Sequence, residues 1–499
     1  MYSKIALLLL IFALAGVQAF YAAEIVDNTL ILDVMLDSGN SISVQSSTVV
    51  IVSEIGSAIS RELTGSFVIE PYESNIHSVY GLLTRTEQLP ADYTGDEAEN
   101  VVTSYKWRDG QLIIQKERLI FEDIFFDTRA EAEEYASSAG FPSNRIRTIP
   151  MAGTLVKITV AKSNVYYLES PLKMSSNNDI SFNNKPLKYS GDFFVKSGEN
   201  RLLVCHRLPL EDYVAGVIQN EIGNNAPLEA MKAQAVAARS HAVSLLLYNR
   251  HKDDGYDLCN ATHCQVYKGK HLLNSSVLQA VTDTQNCVLA FGTQLAETPY
   301  HSSSGGKTDS SRNIWKGKPI EYLMGVSVYA ETDSLDLTIE EDARYWIDMK
   351  VHTNDMSSWE RASVAWSNRI SKSQLEKNTQ IDKIRTIEIL KRGYSGRVLS
   401  IKINNSVVID GEYKIRGAFG NLPSSFFYIN GDYDLSADGN PVINVGGDLL
   451  LNGKGSGHGV GLCQVSTLQM ARSGESWQSI LSFFYPGTHI IDNWLKEDK

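Results

Sequence analysis

Four groups of residues in this 499-residue sequence could carry chemistry. The first is a lone carboxylate. Glu221 follows Leu210, Val214, Val217 and Ile218 at helical spacing, so it projects from the apolar face of a helix expected over about 210–221. Desolvation disfavours the charged form of such a carboxyl and raises its pKa, which suits a general acid working near neutral pH. The alternative is a solvated carboxylate at a frayed helix end. The second group is DLCNATHCQVYKG (Asp257–Gly269), with Cys259, His263 and Cys264 within six residues. Two thiolates and an imidazole are zinc ligands that need one or two further donors, or else the two cysteines form a disulfide. The third is YHSSSGGKTDSSRNIW (Tyr300–Trp315), where Ser302, Ser303 and Ser304, followed by two glycines, suit the wall of a carbohydrate groove. No G-x-S-x-G elbow accompanies these serines. The fourth is SGHGVGLCQ (Ser456–Gln464), which sets His458 between two glycines and ends on Gln464. It lacks the Gly-Lys-Ser/Thr of a phosphate loop.

The elements that must position these groups follow from local pattern. Gly223, Asn224 and Asn225 stop the helix that carries Glu221, and Pro227 with Glu229 opens the next. That second helix, to about Leu247, carries Leu228, Met231, Ala235, Ala238 and Ala242 in steps of three and four. Lys232 and Arg239, seven apart, share one side of it. Residues 20–190 read as a β-rich accessory domain of unknown function. Strands are expected at Ser41–Val52, Leu112–Gln115 and Leu155–Thr159, one helix at Arg129–Ala139, and loops at Ser175–Asn178 and Asn183–Asn184. Residues 191–499 mix helices with strands expected at Ile384–Leu390, Arg397–Ile403 and Ser406–Ile409, so the fold class is α+β.

Bulk properties narrow the function classes. A hydrophobic fraction of 43% and a net charge of −12 describe a globular chain without the overall basic character of a nucleic-acid binder. Lys4, the apolar run from Ile5 to Gly16, and Val17-Gln18-Ala19 form a signal-peptide pattern over 1–19, with Ala22-Ala23 as a second cleavage site and an uncleaved anchor as the alternative, so an exported protein is expected. Five cysteines (Cys205, Cys259, Cys264, Cys287 and Cys463) are too few and odd in number for a disulfide scaffold.

In order and spacing, LPLEDYVAGVIQNEIGNNAPLEAMKAQAVAARSHA, THCQVYKG, HSSSGGKT with Trp315, the SGRV step at Ser395–Val398, and GHGVGLCQ with FFYPGT resemble the SpoIID/LytB family of stage II sporulation proteins and amidase enhancers. The resemblance covers about 202–492. Where the family usually continues Ser-Gln-Tyr-Gly-Ala, this chain has Cys463-Gln464-Val465-Ser466-Thr467. The resemblance implies a catalytic domain with a central cleft and a lytic transglycosylase activity on peptide-stripped peptidoglycan glycan strands. It makes Glu221 the catalytic acid and Arg239 a functionally important partner. Arg239 would orient the carboxylate or a sugar carbonyl, Lys232 would be an alternative, and His301, Ser302–Ser304, His458 and Gln464 would line the cleft. No cofactor is required, although some members hold zinc at a cluster like Cys259–Cys264. Two other readings stand beside it: a glycan-binding activator of an N-acetylmuramoyl amidase, and a zinc hydrolase built on Cys259, His263, Cys264 and perhaps His301 or His458.

Overall fold

The computed structural model describes residues 24–495, apart from 27–28, 56–58, 73–77, 90–100, 109, 127, 151–154, 161–163, 198–200, 249, 252–253, 270–272, 352 and 493. The signal-peptide pattern at 1–19 lies outside the described residues. No described helix is long and apolar enough to cross a membrane.

Alternating apolar residues build the N-terminal half. The strands are β1 (Glu24–Val26), β2 (Thr29–Gly39), β3 (Ile42–Glu54), β4 (Ser60–Pro71), β5 (Ser78–Leu89), β6 (Val101–Arg108) and β7 (Gln111–Phe126). Helix α1 (Arg129–Ala139) follows, then β8 (Ile146–Pro150), β9 (Leu155–Val160), β10 (Asn164–Glu169), β11 (Leu172–Phe182), β12 (Tyr189–Ser197) and β13 (Leu202–Pro209). Helix α1 has its expected bounds because a Thr128–Glu131 capping box starts it and Gly140, in the left-handed region, stops it. It packs through Ala132 and Ala136 on the small sheet β6-β7-β5-β8.

The larger sheet has the order β1-β2-β13-β12-β11-β3-β4-β9-β10. Its inner face presents Leu32, Val34, Val44, Val52, Ile69, Ile158, Met174 and Val204 to one core. The boundary expected at residue 190 falls inside this sheet, since β13 hydrogen-bonds to β2 on one side and β12 on the other. The loop expected at Ser175–Asn178 is instead part of β11. Its polar side chains sit where the ladder is irregular, between Ser176 and Ile180, and the turn comes only at Asn183 and Asn184, both at positive φ.

Helices α2 (Leu210–Ile218) and α3 (Leu228–Tyr248) cover the inner face of the sheet. Helix α3 is buried nearly all round. Met231, Ala235, Ala238 and Ala242 face the sheet core, while Ala233, Val236 and Ala237 face a second core with Leu462, Val465, Ile480 and Phe484. After α3, strand β14 (Leu258–Cys259) adds to β2 in parallel, and helix α4 (Ser275–Asp283) packs beside α2 and α3. Helix α5 (Ser311–Trp315) follows. A five-stranded sheet then holds Thr386–Arg392, Val398–Ile403 and Val407–Asp410, within about two residues of the strands expected there.

Candidate functional site

Glu221 does not continue α2 in phase. Residues Gln219–Gly223 form a single π turn that ends on Gly223 at positive φ. Val214 and Val217 are fully buried in the core, whereas Glu221 keeps partial exposure. Gly216, one turn earlier, lets the Tyr267 ring lie on α2, since a Cβ there would sit 2.4 Å from that ring.

The carboxylate meets a ring of neutral donors. The Val266 amide donates to Oε1 at 3.1 Å, and Gln464 Nε2 reaches Oε2 at 3.4 Å while sharing itself with Gln234 Oε1. The Tyr300 phenol faces the same carboxylate and donates to Gln265 Oε1 at 2.9 Å. Gln265 is itself held by the Ala238 carbonyl at 3.2 Å. Burial raises the Glu221 pKa, and these donors with the more distant Lys268 oppose the rise without cancelling it. Among the described residues, none of the groups facing Glu221 is a carboxylate.

The residues expected to line a groove divide into two sets. Gln464 is on Glu221 itself. His458 accepts the Val460 N–H at Nδ1, 3.1 Å, and its ring bonds the Tyr300 carbonyl. Burial and the Arg397 cation push its pKa down to about 3, so it is a neutral imidazole of fixed tautomer. His301 is buried, with Nδ1 on the Val460 carbonyl at 3.1 Å. Ser303 and Ser304 are buried too. Ser303 exchanges backbone hydrogen bonds with Ser456, and the Ser304 carbonyl accepts from Arg397 at 3.0 Å. These three build the wall from behind and offer little to a ligand; Ser302 keeps partial exposure. Arg397 also donates to the Gly457 carbonyl at 3.3 Å, so one buried guanidinium ties both loops together.

Two cations expected near the carboxylate are elsewhere. Arg239, fully buried, grips Glu211 with two bonds of 2.8 and 2.6 Å and the Cys287 carbonyl at 3.0 Å. It locks the first turn of α2 to α3 rather than touching Glu221. Lys232 bridges Glu229 and Asp283, both at 3.0 Å, and so joins α3 to α4. Heptad spacing places both on one side of α3, but that side meets neighbouring acids.

Cys259, His263 and Cys264 converge with a fourth donor, His251, their ligating atoms all within 4.8 Å of one another. His251 Nε2 is 3.3 Å from Cys264 Sγ, and His263 Nδ1 is 3.8 and 3.9 Å from the two sulfurs. Ligand–ligand separations of this size suit a tetrahedral ion with bonds of about 2.0–2.3 Å. On its other nitrogen His251 meets Asp254 at 2.9 Å, and the Cys259 amide donates to Cys264 Sγ at 3.4 Å, both supports usual around a metal. A hydrogen bond from Cys264 and the neighbouring imidazoles lower the pKa of the Cys259 thiol, while that of Cys264 is raised, so the two sulfurs share a proton that a metal would displace. The two cysteines are not bonded to each other. The residues therefore fit zinc, and four protein donors close its coordination.

His251, Tyr300, Gln234 and Gln265 escape the sequence reading. Tyr300 and Gln265 sit inside motifs quoted for other residues, and no local pattern marks His251.

Both halves of this constellation have relatives. The stage II sporulation protein (SpoIID) family matches residues 198–291, and a domain of unknown function, DUF8618, matches residues 309–461. An uncharacterised protein of Brachyspira hyodysenteriae is 30% identical over 311 residues, which are 61% of this chain and 73% of that protein. Stage II sporulation protein D of Bacillus subtilis is 24% identical over 302 residues, 57% of this chain and 75% of its own. The chain belongs to the SpoIID family. The amidase enhancer of Bacillus subtilis is 29% identical over 351 residues, 64% of this chain but only 46% of the enhancer. The matched SpoIID region holds Glu221 and the Cys/His cluster, while the DUF8618 region holds Arg397 and His458.

Proposed function

We propose that this SpoIID protein is an exported lytic transglycosylase that cleaves the N-acetylmuramic acid–N-acetylglucosamine bond of peptide-stripped peptidoglycan strands. One observation carries the reading: a carboxyl, its pKa raised by burial, faced by neutral donors and, among the described residues, by no second carboxylate. A hydrolytic glycosidase needs two carboxyl groups across the scissile bond. A transglycosylase manages with one, because the sugar supplies its own nucleophile. Glu221 gives its proton to the glycosidic oxygen as the C1–O bond breaks. The resulting carboxylate, held by the Val266 amide and Gln464, takes the proton of the muramic C6 hydroxyl as O6 closes onto C1. The products are a free N-acetylglucosamine end and a 1,6-anhydro end.

Zinc at His251, Cys259, His263 and Cys264 would have a structural role. It would fix the turn whose next residues, Gln265 and Val266, hold Tyr300 and Glu221. A zinc hydrolase would need an open coordination position, which four donors do not leave. The second reading, a glycan-binding activator of an amidase, draws on the relative called amidase enhancer.

The test is Glu221→Gln with peptide-free glycan strands, products read by mass spectrometry. Anhydro ends from the wild type that fall at least about 100-fold in the variant support the lyase. Strand binding and amidase stimulation that survive the substitution, with no anhydro ends from either protein, leave the activator instead.

A further inference from the structure

The DUF8618 region contributes an aromatic surface beside the site that the chemistry above does not use. Trp315 ends α5 and is 42% exposed. Its ring lies 5.2 Å from the His458 ring, and His458 in turn lies 5.4 Å from His301. The tilted rings behind Trp315 are held by hydrogen bonds. His458 is held by the Val460 amide and the Tyr300 carbonyl, and Tyr300 faces Glu221.

Trp315 differs from tryptophans whose job is the fold. Trp346 and Trp366 spend their indole N–H groups on the carbonyls of Gly305 and Gly455, pinning the two loops from within. The Trp315 indole makes no hydrogen bond among the described residues. Its backbone is nonetheless anchored. Lys316, in the left-handed region, caps α5 by bonding back to Arg312, and its ammonium pairs with Asp410. The chain thus holds an exposed aromatic plane in place, backs it with an imidazole, and leaves its N–H unused.

We infer that Trp315 is a sugar-stacking platform, a subsite for an N-acetylhexosamine of the glycan strand outside the bond being cleaved. The electron-rich ring face attracts the polarised C–H groups on one side of a pyranose, and the free indole N–H suits an acetamido or hydroxyl oxygen. The platform rests on the glycan reading above and deepens it, since it makes recognition depend on strand length. Trp315 binds, and Glu221 reacts.

The full-length protein with Glu221→Gln, chosen to stop turnover, is titrated with peptide-free glycan strands and with a disaccharide fragment of them. Adding Trp315→Ala is expected to raise the Kd for strands about three- to tenfold and to leave the disaccharide nearly unchanged. Trp315→Phe, which keeps an aromatic plane, is expected to stay within about twofold, and this rescue separates stacking from a folding defect. Equal Kd values for Glu221→Gln with and without Trp315→Ala overturn the platform alone. If Glu221→Gln binds no strands, the glycan reading fails and the platform with it.

Discussion

Arg239 gives the sharpest test of the structural argument, because it separates a framework residue from a reacting one. Arg239→Met removes three hydrogen bonds: two of 2.8 and 2.6 Å to Glu211 and one of 3.0 Å to the Cys287 carbonyl. The guanidinium is fully buried, and Glu211 keeps 20% of its side chain exposed. Breaking a fully buried pair costs about 3–5 kcal/mol. Solvent on the Glu211 side discounts that to about 2–4 kcal/mol. Urea unfolding should therefore show a clear fall in midpoint for Arg239→Met. Adding Glu211→Leu replaces the stranded carboxylate with an apolar group and should recover most of the loss, leaving about 1 kcal/mol for the unpaired Cys287 carbonyl. The double variant, once stable, should release anhydro ends at close to the wild-type rate. A single variant of unchanged midpoint, or a stable double variant without activity, would refute the assignment and put Arg239 back on the substrate.

Three further outcomes follow from the geometry. The protein as purified should hold about one zinc per chain by elemental analysis, and chelation should lower both its thermal midpoint and its anhydro-end release; metal-free protein with a Cys259–Cys264 disulfide in its mass spectrum would refute this. Because burial raises the folded pKa of Glu221, the folded state binds the extra proton more tightly, and stability falls as pH climbs from the unfolded value toward the folded one. Glu221→Gln should thus be as stable as wild type at pH 4 and at least as stable at pH 7, and a loss confined to pH 7 in parallel melts would contradict it. Gly459→Ala puts a Cβ 2.3 Å from the Arg397 guanidinium carbon at a φ of +81°, whereas Gly474→Ala, at +91°, meets nothing within 4 Å. Both carry backbone strain, but the first should cost about 1–3 kcal/mol more by denaturant melts.

Sequence pattern reached some of this arrangement and missed the rest for physical reasons. Helix α1 was legible to the residue because its start is a local capping box and its stop a glycine. Glu221 stood out by spacing as a carboxyl whose burial would raise its pKa, but nothing local announced the π turn that carries it. Arg239 and Lys232 were rightly placed on one side of α3, but periodicity is silent about which acid a neighbouring element presents. His251 is invisible to a local motif search because the partners it meets, Cys259 and Cys264, come eight and thirteen residues later. The boundary near 190 followed a change in composition, and strand pairing does not obey composition.

That pairing bears on how the protein can be taken apart. The stretch matched by the SpoIID family model begins at residue 198, four residues before β13. A fragment cut there would keep Glu221 and the four zinc-ligand candidates. It would lose β2 and β12, which flank β13, and with β2 the strand that β14 pairs with. The Asn260 amide, which donates to the Leu36 carbonyl at 3.0 Å, and Asp257, which accepts the Asp33 amide at 2.7 Å, would lose their anchors as well. The matched stretch and the hydrogen-bonded sheet thus have different borders, and the N-terminal strands are part of the mould in which the Glu221 loop is cast.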